Sequence, residues 1–136
     1  MNDKNNTDER KDEMGTETEK AGGRATLAEA WARVNEGLTE TQREKVRLYL
    51  AAVQFSRAAL DEARLGHGQT ARSFALGYFS AFEELRRVAG TADEDATVRH
   101  VETIARLVAS RGWQVFGQAC SIHALMRKLA GKEAAQ

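Results

Sequence analysis

The sequence predicts an all-α protein, an antiparallel helical bundle, on three observations. The chain of 136 residues has no proline and is rich in Ala, Leu, Glu, Arg and Gln, residues that enter a helix at little cost. One helix-start signal, Thr-x-x-Glu/Gln, occurs at Thr26, Thr39 and Thr91, each time ahead of an apolar periodic run. Glycines stand where such runs end: Gly37, Gly66 and Gly90, the last two behind arginines that suit the negative end of a helix dipole.

Residues 1–24 stand apart from this pattern. Their only apolar side chains are Met1, Met14 and Ala21, too few to offset the entropy of ordering. A disordered polar tail is expected there, ending at Gly22-Gly23, with one helical domain over 25–136. The first helix is expected near 27–36, between the Thr26-x-x-Glu29 box and Gly37. The second follows Thr39-x-x-Gln42 and runs near 40–65. Its stripe of Val46, Tyr49, Leu50, Val53 and Leu60 is widened by Leu48, Ala52, Phe55 and Ala59, so two neighbours should cover it. The third runs near 70–89, with Phe74, Tyr78, Ala81, Leu85 and Val88 on one face. The short Gly66-His67-Gly68 link should make the second and third helices an antiparallel hairpin.

The fourth element begins near 92, after Thr91-x-x-Glu94. Val101, Ile104, Val108, Val115, Ala119, Ile122, Met126 and Leu129 keep one angular position through to 130. A straight helix over 92–130 would be about 58 Å long, whereas the third helix spans only about 30 Å. Past Trp113, such a helix stands clear of the hairpin. Either a second copy of the chain covers the overhang, or the helix breaks at Ser110-Arg111-Gly112 and folds back. The unbroken phase and the lack of an N-cap at Trp113-Gln114 favour one continuous helix and a homodimer.

Little in the sequence suggests chemistry. Cys120 and His123 are three apart on the last helix and could form a nucleophilic or metal-binding pair. Mid-helix amides offer no oxyanion donors, and no third ligand stands nearby in sequence. A core cysteine beside a rim histidine is the simpler expectation. Phosphate-binding and hydrolase motifs are absent, so no catalytic residue, cofactor or metal is assigned. Twenty basic and twenty acidic residues cancel, which disfavours a whole-protein grip on nucleic acid or an anionic membrane.

The expected function is therefore a non-enzymatic, cytoplasmic protein-interaction module, an adaptor, inhibitor or regulatory subunit. Its surface would lie on the C-terminal helix at Trp113, Val115, Phe116, Ile122, Met126 and Leu129. One alternative is a dimeric regulator that holds nucleic acid through Arg99, Arg106 and Arg111. Another is a metal or redox protein built on Cys120 and His123. No apolar run is long enough to span a membrane.

Overall fold

A computed structural model of the chain describes residues 26–114 and 117–132. The expected tail over 1–24 lies outside them, as do Val115 and Phe116 of the C-terminal stripe. The described residues form a helical bundle of five helices without strands: α1 (Leu27–Asn35), α2 (Glu40–Arg64), α3 (Gly68–Ala89), α4 (Glu94–Ser110) and α5 (Ala119–Ala130). None of them is long and apolar enough to cross a membrane.

Two of the three start signals work as reciprocal caps. The Thr26 hydroxyl accepts from the Glu29 amide at 3.1 Å, and the Glu29 carboxylate accepts from the Thr26 amide at 3.1 Å. Thr39 and Gln42 repeat this arrangement at the head of α2, at 3.1 and 2.9 Å. The third signal is used differently. Asp93 caps α4, its Oδ1 accepting from the Ala96 amide at 2.7 Å. The Thr91 hydroxyl instead meets the Thr97 hydroxyl at 2.7 Å. The Glu94 carboxylate leaves its own backbone and turns to His123 and Arg127. A reach-back bond at an exposed helix end is worth little, and a partly buried ionic partner outcompetes it.

The chain divides into two compact units, each described by itself. The smaller contains α1 and residues Arg111–Trp113. There the Arg111 guanidinium donates to the Val34 carbonyl at 3.0 Å and to the Glu36 carbonyl, satisfying acceptors that the end of α1 leaves open. The rings of Trp31 and Trp113 meet edge to face, 6.1 Å between centroids.

The larger unit holds α2 to α5. Its most extensive contact is the α2–α3 hairpin. Small side chains let these helices approach closely: Ser56, Ala59, Ala71 and Ala75 are fully enclosed. Gly77 faces α2 closely, because a methyl group there would stand 2.5 Å from Cε1 of Phe55. α5 packs mainly on α3 and secondarily on α4. Met126 and Ala130 join Ala52, Ala75, Tyr78, Phe79 and Phe82 in one core, with Ile122 and Leu129 half-buried against it.

The expectation of one continuous helix over 92–130 is corrected here. α4 stops at Ser110, and α5 starts anew at Ala119. Gly112 and Gly117, between them, have φ of +93° and +118°, a region where any Cβ is strained. Folding back encloses Met126 and half-buries Ile122 and Leu129 against the chain's own core, so the overhang of a continuous helix does not form. Angular phase reports which side chains want burial. It says nothing of where the backbone reverses.

The Gly77 contact yields a test. Gly77→Ala should destabilise the protein by about 1–3 kcal/mol through overpacking, although alanine is the better helix former. Phe55→Leu should recover part of that loss when combined with it. Urea unfolding of the two single variants and the double variant would measure both effects.

Candidate functional site

His123 has only 6% of its surface exposed and reaches α5's neighbours through both ring nitrogens. Nδ1 lies 2.8 Å from the Tyr78 hydroxyl of α3, and Nε2 bonds Oε2 of Glu94 at the head of α4. An ionised carboxylate only accepts, so Nε2 must carry the proton. In the neutral ring Nδ1 is then an acceptor, and Tyr78 donates to it. The Arg127 guanidinium adds a second donor to Glu94 Oε2 at 2.8 Å and a bond to the Lys132 carbonyl at 2.9 Å. Around this chain the Phe82 ring lies 4.4 Å from the imidazole centroid, Phe79 5.3 Å and Tyr78 5.7 Å.

The electrostatics follow from this enclosure. The hydrogen bond from His123, supported by Arg127, holds the Glu94 carboxyl below the usual carboxylate range. Burial pushes the Tyr78 phenol well above its ordinary value, and the Glu94 charge adds to the rise. Tyr78 is therefore a neutral hydrogen-bond donor, not a nucleophile. Tyr78 also borders an apolar cavity of about 30 Å³, walled as well by Tyr49, Val53, Ser56, Val101 and Ile122. That space admits about one water molecule. The Ser56 hydroxyl is already bonded to the Val53 carbonyl at 2.9 Å.

The expected site residues are distributed as follows. Met126 is fully enclosed by the chain's own helices, and Ile122 and Leu129 are half-buried in the same core. Val115 and Phe116 lie outside the described residues. Trp113 is half-buried against Trp31. Arg99 and Arg106 are exposed on α4, whereas Arg111 is committed to the carbonyls of Val34 and Glu36. The expectation for the cysteine–histidine pair is reversed: Cys120 is exposed and His123 is buried. The buried face of α5 runs through His123, Met126 and Ala130, which leaves Cys120 at its edge. Among the described residues, no three His, Cys, Asp or Glu side chains gather closely enough to hold a metal ion.

The Tyr78–His123–Glu94 chain was not legible as a unit. Its members are 29 and 45 positions from His123, and no local spacing links them. The open apolar surface of α1 is a second feature that the tertiary structure supplies. Leu27 is 60% exposed and Trp31 37%, four positions apart on one helical face. The i, i+4 spacing was readable, but nothing in the sequence shows that this face stays open.

Two outcomes are expected. Glu94 gives stability that is present above its usual titration range and lost as pH falls through its lowered value. The melting temperature of Glu94→Gln should therefore lie furthest below wild type near neutral pH and converge with it in acid, below that lowered value. Cys120 is exposed, so Cys120→Ala should change stability by less than about 0.5 kcal/mol in chemical denaturation. In the folded wild-type protein, Cys120 should also react promptly with a maleimide. No protein-family model matches the chain, and no curated protein or solved structure does so either.

Proposed function

We propose that this chain is a helical protein-interaction module whose docking patch is formed by Leu27, Trp31 and Trp113. One observation carries the reading: the chain's two tryptophans meet edge to face at 6.1 Å, with Trp31 still 37% exposed and Leu27 one turn away at 60%. Exposed tryptophan is costly to leave in water and contributes heavily where a partner covers it. Arg111 bonds the carbonyls at the end of α1, so the patch rests on a fixed backbone. The patch thus offers an aromatic and apolar surface, which suits an apolar partner segment.

This places the contact away from the C-terminal helix, whose residues Ile122, Met126 and Leu129 face the core of their own chain. The partner is read as a different protein, because the fold-back removes the overhang that called for a second copy.

The test is photo-crosslinking in the source cell. Benzoylphenylalanine at position 27 should give a discrete adduct to a second polypeptide, and the same label at position 64, on the exposed end of α2, should not. In a binding assay with that polypeptide, Leu27→Glu should weaken the complex at least tenfold. Adducts of the same kind and yield at both positions would overturn the reading, as would none at 27.

A further inference from the structure

We propose that α5 opens as a unit: it leaves its seat on α3 and α4 while the α2–α3 hairpin stays folded, and the Glu94 carboxylate sets how often it does so. Three observations carry this. The first is that the polar bonds seating α5 converge on one atom. Oε2 of Glu94 accepts from Nε2 of His123 and, at 2.8 Å, from Nη1 of Arg127, one turn further along α5. Tyr78 adds a bond to the other imidazole nitrogen. The Glu94 side chain is 44% exposed, so water competes for the shared oxygen.

The second is that α5 is a poor helix alone. It has 12 residues, Gln118 at its head makes no side-chain cap, and its first turn has no acidic residue. A helix of that length is marginal in water without a packing partner. α3 also begins without a side-chain cap, but it has 22 residues and lies along α2. Once unseated, α5 has little of its own to keep it helical.

The third is that the hairpin's own contact does not run through α5. α2 and α3 make the most extensive helix contact in their unit, and Phe55 of α2 meets α3 at Gly77. That contact remains when α5 leaves. The surface uncovered is confined to the seat, chiefly Tyr78, Phe79 and Phe82 on α3 and His123, Met126 and Ala130 on α5. An opening that uncovers only part of the core lies below global unfolding in free energy. The open form presents the aromatic face of α3 to solvent, including the stacked rings of Tyr78 and Phe82, 5.9 Å between centroids.

Native-state hydrogen exchange on the full chain tests this, read where amide rates report opening equilibria. In the wild type, amides of α5 around Met126 should exchange at least about tenfold faster than hairpin amides around Ala59 and Ala75. Low urea should speed the hairpin amides more steeply than those of α5, because global unfolding exposes more surface. Glu94→Ala removes the shared oxygen and should speed α5 exchange at least about tenfold. Glu94→Gln keeps an acceptor and should fall between that variant and the wild type. Gln54 is exposed in the middle of α2, so Gln54→Gly weakens that helix equally in the closed and open forms. It should speed hairpin exchange about threefold and leave α5 exchange unchanged. Wild-type α5 and hairpin amides that share one opening free energy and one urea slope overturn the proposal. So does α5 exchange that ignores Glu94→Ala, or that rises with Gln54→Gly as much as hairpin exchange does. The wild-type arm decides even if a variant fails to fold.

Discussion

The imidazole of His123 sits where α3, α4 and α5 converge, and the docking of the last helix depends on it. A buried polar ring is costly to leave unpaired, and here neither nitrogen is. Tyr78 supplies a donor from α3, and Glu94 supplies an acceptor from α4. The apolar contacts of Met126 and Ala130 favour burial of α5 without specifying its rotation or height. The two hydrogen bonds add direction, because they form at only one rotation and register of the helix.

Satisfying that ring changes a structure elsewhere. Glu94 stands where a capping box would use it, yet its carboxylate serves His123 and Arg127. Asp93 takes over the cap, two positions after Thr91, and Thr91 is left to pair with Thr97. Tertiary demand thus rewrote a local signal that worked as expected at Thr26 and Thr39. The exchange cost little, because Asp93 is itself a good capping residue.

Arg111 shows the same economy in the smaller unit. On sequence alone it is one more arginine near a helix end, a candidate to hold phosphate. In the structure its guanidinium closes α1 by taking the carbonyls of Val34 and Glu36. Two residues on, Trp113 meets Trp31 in the same unit. A single planar donor therefore serves as a helix cap and as an anchor for the patch read as the docking surface.

The first three helices, the caps of α1 and α2 and most boundaries among them were legible in the sequence, because these depend on neighbours within four positions. Thr26, Thr39, Gly37, Gly66 and Gly90 acted locally and as expected. The buried stripes of α2 and α3 were equally plain, since helical periodicity sorts residues by face whatever covers them. The sequence also marked Ile122, Met126 and Leu129 as residues wanting burial. What it left open was which surface would bury them. The reversal at Gly112 and Gly117, the inward turn of His123 and the outward placement of Cys120 belong to the tertiary structure. Each depends on groups tens of residues away, and a pattern along one helix carries no record of what that helix will meet.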